Sequence, residues 1–271
     1  MQRIYLKIMP IAALIFFTSG SVKNIPGGEA RNDTIRVMTY NVHHCNPPEK
    51  PGIIDVDAIA AVIKKQKADI VALQEIDVNT VRSGKINEAE QLAVKAGYKS
   101  FFFAKAIDFD GGQYGIAILS KYPLSGAKAY PLPMDETIGG EQRMLAAATV
   151  TLAGGKTFRF GCTHLDADRS NASRVLQVKE INRITRETAL PFIIAGDFNS
   201  NEGSDVINIL DEDFTRTCNK CAPTFWEDND TGAIDFIASK PKDAWNILSH
   251  TVIQDKEASD HMPVVAVLQL K

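Results

Sequence analysis

Ile193-Ile194-Ala195-Gly196-Asp197-Phe198-Asn199-Ser200 reads as a buried strand running straight into an acid and an amide two positions apart. Residues i and i+2 of an extended segment point to the same side. Asp197 and Asn199 are therefore expected to present a carboxylate and a carboxamide to one point in space. A carboxylate can hold a hard cation or take a proton from water, and an amide both donates and accepts. The same letters also suit a strand that ends in an ordinary turn, because Gly, Asp, Asn and Ser are turn residues. The choice depends on whether other strands end in similar chemistry.

Working outward, Ile35–Asn41 alternates and is rich in β-formers, which predicts a strand. Val56–Gln66 carries apolar residues at Val56, Ile59, Ala60, Val62 and Ile63 behind a capping Asp55, which predicts an amphipathic helix. Ala68–Leu73 is the next buried strand and ends in Gln74-Glu75; Asn87–Ala96 is a short helix closed by Gly97. Strands follow at Ser100–Ala106, Gly115–Ser120, Ala127–Leu132, Met144–Leu152 and Lys156–His164, separated by turns such as Asp110-Gly-Gly. Ser170–Glu187 is predicted as the longest helix, capped by Ser170 or Asn171, with Val175, Val178, Ile181 and Ile184 as its buried stripe. After the Asp197 strand come a helix at Ser204–Leu210 and strands at Ala233–Ser239, Trp245–Val252 and Pro263–Leu270. The two halves share an outline of strand, helix, strand and further strands, without a sequence repeat. Many strands, few helices and no low-complexity linker predict one α/β domain over residues 35–271. Its expected form is a four-layer αββα sandwich, with two mixed β-sheets face to face and helices outside.

Other strands do end in similar chemistry: Asn41, Glu75, His164, Asp197 with Asn199, and the pair Asp260-His261. Asp235 lies inside the apolar run Ala233-Ile234-Asp235-Phe236-Ile237, where a carboxylate is costly unless paired. Carboxylates and amides without clustered cysteines suit Mg²⁺ or Mn²⁺ rather than zinc, and carboxylate–His pairs supply a general acid and base. Each position alone has a structural alternative, such as a surface acid at Glu75 or a capped core histidine at His164. Together they point to a site for phosphate chemistry.

The ordered segments Thr39-Tyr-Asn-Val-His-His44, Leu73-Gln-Glu-Ile-Asp77, Tyr114-Gly-Ile-Ala-Ile-Leu-Ser-Lys121, Thr163-His-Leu-Asp166, Gly196-Asp-Phe-Asn199, Ile234-Asp-Phe-Ile237 and Ser259-Asp-His-Met-Pro263 resemble the endonuclease/exonuclease/phosphatase superfamily over about residues 35–270. The resemblance implies a deoxyribonuclease-like fold and metal-dependent hydrolysis of phosphoric esters. It implies that Glu75 is the main Mg²⁺ ligand, with Asn41 and Asp260 near the metal. Asp197, helped by Asn199, would orient or deprotonate water. His261 would donate to a phosphate oxygen while held charged by Asp235, and His164 would stabilise the transition state or assist the leaving group. Arg82 and Arg143 resemble pocket positions that meet substrate phosphate, or else form structural ion pairs. Bacterial relatives commonly carry Gly after the His-His pair; this chain has Cys45 there, which leaves the shape of that loop open.

Arg3 and Lys7, the apolar run Ile8–Phe17 and the small residues Thr18–Ser21 read as a signal peptide over residues 1–22, followed by a flexible leader over residues 23–34. Export to the periplasm or outside the cell is expected, with no stable membrane span after cleavage. Removing residues 1–22 takes away two cations and no acid, so the net charge of −3 becomes about −5. That balance favours a small-molecule phosphoester or lipid head group over nucleic acid as substrate, because general nucleic-acid binders are usually basic. A nuclease of the same superfamily, or an inactive binding module on the same fold, are the alternatives. Cys218 and Cys221 are expected as a local disulfide or as plain loop thiols, and Cys162 as core. Oligomeric state is not legible.

Overall fold

Alternate residues of the central strands face different apolar layers. In β1 (Thr34–Asn41), Ile35 and Val37 enter one cluster while Met38 and Tyr40 enter another. In β2 (Ile70–Val78), Ile70 and Ala72 side with the first cluster, and Val71 and Leu73 with the second. In β7 (Thr157–His164) and β8 (Phe192–Asp197), Phe158, Phe160, Cys162, Ile193 and Ala195 join the first cluster too. That cluster is the interior between two sheets, and the other clusters lie beneath the helices. Strands buried on both faces read as near-continuous apolar runs, as observed here.

The computed structural model describes residues 33–226 and 232–271. The remaining strands are β3 (Ser100–Phe109), β4 (Gly112–Ser120), β5 (Leu124–Pro131), β6 (Met144–Thr151), β9 (Thr215–Arg216), β10 (Asp235–Lys240), β11 (Trp245–Val252) and β12 (Val264–Leu270). One six-stranded sheet runs β11-β12-β1-β2-β4-β3, and the other β5-β6-β7-β8-β10-β9. Each is mixed, with one parallel pair near its middle, β1 with β2 and β7 with β8. A helix connects each parallel pair: α1 (Val56–Gln66) in the first and α3 (Ala172–Arg186) in the second. α1 and α2 (Glu88–Ala96) cover the outer face of the first sheet, and α3 and α4 (Asp205–Asp213) cover the second. The expected αββα sandwich is the observed architecture.

Local chemistry sets the element ends. Asp55, Asn87 and Ser204 cap α1, α2 and α4 through their side chains. Asp110-Gly111, both at positive φ, turn β3 into β4, the dipeptide that tight hairpins favour.

The expected signal peptide, residues 1–22, lies outside the described residues, as does the expected leader up to residue 32. The leader's last two residues belong to the domain. Thr34 opens β1, the Asp33 carboxylate accepts from Lys156 at 2.9 Å, and its carbonyl accepts from Leu270 N at 2.8 Å. Cys218 and Cys221 form a disulfide, and Cys162 is buried as expected. Among the described residues no helix is long and apolar enough to cross a membrane.

Candidate active site

Asp197, the last residue of β8, organises the site through strand register. Its parallel neighbour on β7 is His164 and its antiparallel neighbour on β10 is Asp235. The close approach of β7 and β8 needs Gly196, where a Cβ would collide with the Thr163 carbonyl. All three residues continue the parity of the inward-facing Cys162, Ala195 and Ile237, so they emerge at the rim of the layer between the sheets. Asn41, at the end of β1, has the same parity in the opposite sheet, and its Nδ2 donates to Asp197 Oδ2 at 3.1 Å. His164 Nε2 lies 3.5 Å from that same oxygen and His261 Nε2 lies 3.7 Å from it.

His261 stands between two carboxylates. Its Nδ1 is 2.9 Å from Asp235 Oδ2, which explains the acid inside an apolar run. Thr224 Oγ1 accepts from the backbone N–H of both Ile234 and Asp235 and fixes that strand entry. Ser259 Oγ donates to the Asn41 carbonyl at 2.8 Å and accepts from His261 N at 3.3 Å, which ties β1 to the Asp260-His261 segment. Burial by itself would strip the proton from His261, but the charge and hydrogen bond of Asp235, with Asp197 and Asp260, lift its pKa to about 10. His164 goes the other way: burial and the Arg143 cation lower it to about 3, so the ring is neutral. Arg143 Nη1 lies 3.4 Å from His164 Nδ1; an arginine only donates, so the ring proton is assigned to Nε2, facing Asp197. Burial and the nearby Asp235 push the Asp197 carboxyl up, against the pull of His261, the Asn199 N–H and Asn41.

Glu75 reaches the site by a different route. By strand parity it would follow Val71 and Leu73 to the outer face of its sheet. The pairing of β2 with β4 slips between Leu73 and Ile76, and Glu75 takes φ 59°, so a β-bulge re-aims it. Its Oε1 then accepts from Asn41 Nδ2 at 3.0 Å. Glu75 therefore lies within β2 rather than at a strand end as expected, because the strand continues through the bulge to Val78. Burial raises the Glu75 carboxyl, but His44, His164, Asn41 and His261 together hold it well below the usual carboxylate range.

Asn199 differs from its expected placement. β8 stops at Asp197 and Asn199 sits at φ 47°, so the i, i+2 rule no longer applies. Its backbone N–H donates to Asp197 Oδ1 at 2.8 Å, while its side-chain Nδ2 is spent on the Leu165 carbonyl at 3.0 Å. It supports Asp197 through the main chain, and its side-chain N–H is committed to Leu165.

A cleft of about 280 Å³ opens over Glu75, lined by His43, His44, Arg82, Ile107, Phe109, Tyr114, Glu141 and Asp260. Arg82 is there as expected, but its Nε and Nη2 are bound to buried Asp77 at 2.6 and 2.9 Å, and its guanidinium stacks on Phe109 at 4.5 Å. Arg143 is buried between His164 and Glu141, which its Nη2 reaches at 3.3 Å. Asp260 lines the cleft, with its Oδ1 accepting from Ser259 Oγ at 3.2 Å. Tyr114, Ser259 and Asp77 lie inside the segments singled out from sequence, yet nothing in local pattern marked them as site residues. The turn His43-His44-Cys45 runs through φ 47°, 40° and 55°. Left-handed backbone at non-Gly residues costs of order 1–3 kcal/mol each and persists where surrounding structure holds it. Cys45 thus keeps the conformation that a glycine would take at ease.

Two sets of donors lie near the site, and among the described residues only the first brings three ligand atoms within 4.8 Å of one another. It comprises Asp197, Asp235 and His261, but His261 Nδ1 is already closed onto Asp235. Glu75 and Asp260 open onto the cleft, offering the hard oxygens such an ion takes. His44 lines the same cleft, and its buried Nδ1, which has no hydrogen-bond partner among the described residues, lies 3.7 Å from Glu75 Oε2. The residues around Glu75 fit a cation.

A model of the endonuclease/exonuclease/phosphatase family matches residues 38–261. The chain belongs to this family. As a member of the endonuclease/exonuclease/phosphatase family it is a phosphoric ester hydrolase. Its fold is similar to that of an endonuclease/exonuclease/phosphatase from Beutenbergia cavernae DSM 12333, at 24% identity and TM-score 0.74, covering 88% of this chain and 72% of that one. A family protein from Bacteroides thetaiotaomicron is similar at 17% identity and TM-score 0.74, covering 88% and 98%. A mannosyl-6-phosphatase from Bacteroides thetaiotaomicron VPI-5482 is similar at 17% identity and TM-score 0.71, covering 86% and 99%. A comparison with curated proteins returns no match.

Proposed function

We propose that this family member hydrolyses a phosphoester of a small polar molecule, with Mg²⁺ or Mn²⁺ held at Glu75. The observation that carries the reading is the convergence of Asn41, His164 and His261 on one oxygen of Asp197 beside that carboxylate. An ion at Glu75 would neutralise charge on the scissile phosphate. Asp197, with its proton affinity raised by burial, orients water and takes its proton. The water oxygen bonds to phosphorus, the phosphorus–oxygen ester bond breaks, and the leaving oxygen takes up the proton that Asp197 removed from water, directly or through solvent. Cationic His261 donates from Nε2 to a non-bridging phosphate oxygen while Asp235 holds its other nitrogen. Neutral His164 donates a hydrogen bond from Nε2 to the same oxyanion or to the leaving oxygen without giving up its proton, and Arg143 keeps that tautomer.

A small substrate is favoured over nucleic acid by the size of the cleft, by its acidic wall of Glu75, Glu141 and Asp260, and by the net charge of −3. The similar mannosyl-6-phosphatase makes sugar phosphates the first class to assay. Export belongs to the same proposal; N-terminal sequencing of the protein recovered from its host tests cleavage near residue 22.

The test is parallel hydrolysis of p-nitrophenyl phosphate, bis-p-nitrophenyl phosphate, hexose phosphates and plasmid DNA with Mg²⁺, Mn²⁺ or EDTA. Metal-dependent turnover of a small ester, abolished by Glu75→Gln, is expected. Turnover of DNA alone would overturn the substrate class, and full activity of Glu75→Gln would overturn the site.

A further inference from the structure

The turn after β1 holds a pair of histidines with different fates. His43 Nδ1 lies 2.9 Å from the Asn46 carbonyl and is satisfied there. His44 Nδ1 is buried without a hydrogen-bond partner among the described residues, and it faces Glu75 Oε2 at 3.7 Å. The other carboxylate oxygen, Oε1, already accepts from Asn41. A hydrogen-bonded N–H and carboxylate would close to about 2.8 Å. Two ligands of one ion, each about 2.1 Å from it, stand about 3–4 Å apart. The separation at His44 and Glu75 matches the second case. Both residues line the cleft with Asp260.

The backbone holds the His44 ring in this position. Cys45 N donates to the Val42 carbonyl at 2.8 Å, Asn46 N to the His43 carbonyl at 2.8 Å, and Asp55 N to the Cys45 carbonyl at 2.7 Å. Cys45 is fully buried beneath the turn. The strained left-handed run is thus anchored to Val42, just past β1, on one side and to the cap of α1 on the other, with the His44 ring 3.7 Å from Glu75.

We infer that His44 supplies a nitrogen ligand, through Nδ1, to the cation site at Glu75, so that this chain holds Mn²⁺ in preference to Mg²⁺. The inference rests on the proposed ion at Glu75. Magnesium strongly favours oxygen donors and keeps its waters, whereas first-row transition ions accept imidazole. An imidazole next to a carboxylate therefore shifts the preference between the two ions.

The full chain, stripped with EDTA and loaded with one equivalent of Mn²⁺, is examined by pulsed EPR for coupling to ¹⁴N, and Mn²⁺ and Mg²⁺ are competed by titration. The wild type is expected to show ¹⁴N coupling that His43→Gln retains and that both His44→Asn and His44→Ala lose. Asparagine tolerates left-handed backbone, so His44→Asn keeps the turn. The Mn²⁺-over-Mg²⁺ affinity ratio is expected to fall by about tenfold or more in His44→Asn. Absence of ¹⁴N coupling in the wild type, or its survival in both His44 variants while Glu75→Gln abolishes binding, overturns the nitrogen ligand and leaves the Glu75 site standing. Unchanged Mn²⁺ binding in Glu75→Gln overturns the cation site itself, and the ligand assignment falls with it.

Discussion

Asp235→Asn isolates what the buried acid does for His261. The residue is buried, with 6% of its surface exposed, and solvation alone would not keep the imidazole charged. Its pKa nonetheless stands at about 10 against an ordinary 6.5, with the Asp235 carboxylate at 2.9 Å as the main raising cause. That gap corresponds to about 5 kcal/mol of preference for the imidazolium, at about 1.4 kcal/mol per tenfold change in proton affinity. Asparagine keeps the shape and removes the charge. Asp197, 3.7 Å away, still favours the cation while burial opposes it, so the variant's imidazole is expected to titrate at roughly 6–8. At pH 9 the charged fraction then falls at least about tenfold from near-complete in the wild type, and at pH 6 it falls by no more than about half. Because the folded pKa is raised, the stability it contributes is complete below about pH 6.5 and is lost as the pH rises through about 10. The assay is NMR titration of the His261 ring, paired with a rate profile between pH 5.5 and 9.5. A ring that titrates at the same pH in both proteins would refute the argument that Asp235 holds His261 charged.

Glu88 makes a second pH-dependent prediction. It is fully buried, Oε2 accepts from Asp77 N at 2.8 Å, Oε1 has no partner among the described residues, and burial lifts its pKa to about 8. The folded protein therefore binds a proton that the unfolded chain releases between about pH 4.5 and 8, and stability falls as the pH rises through that window. Glu88→Gln is expected to stabilise the fold by about 2–4 kcal/mol at pH 9 and to be near neutral at pH 4.5, read from denaturant melts; the same difference at both pH values would count against it. Arg82→Ala strips buried Asp77 of both guanidinium bonds and is expected to destabilise by about 3 kcal/mol in urea unfolding. Adding Asp77→Asn should recover most of the loss, and a cost below about 1 kcal/mol for Arg82→Ala would return Arg82 to the list of free phosphate binders.

Much of this protein was legible in its sequence, because side-chain periodicity is local. The run Ile193–Ala195, the alternation of Ile35–Asn41 and the stripe Val178, Ile181 and Ile184 each encode one element and its buried face. The order of those elements indicated an αββα sandwich, and the motifs at their ends, through their resemblance to a known family, a phosphoesterase. The isolated Asp235 announced a partner by the cost of burying it alone. Only tertiary structure determined which partner that is and how the other groups point. Register between strands depends on hydrogen bonds to residues far along the chain, and a one-residue irregularity reverses the face of a side chain. The bulge that turns Glu75 inward is therefore invisible in Leu73-Gln-Glu-Ile-Asp77, as is the positive φ that sends the Asn199 amide to Leu165. The commitment of Arg82 to Asp77 and the unsatisfied nitrogen of His44 beside Glu75 likewise follow from packing among segments that no local pattern relates.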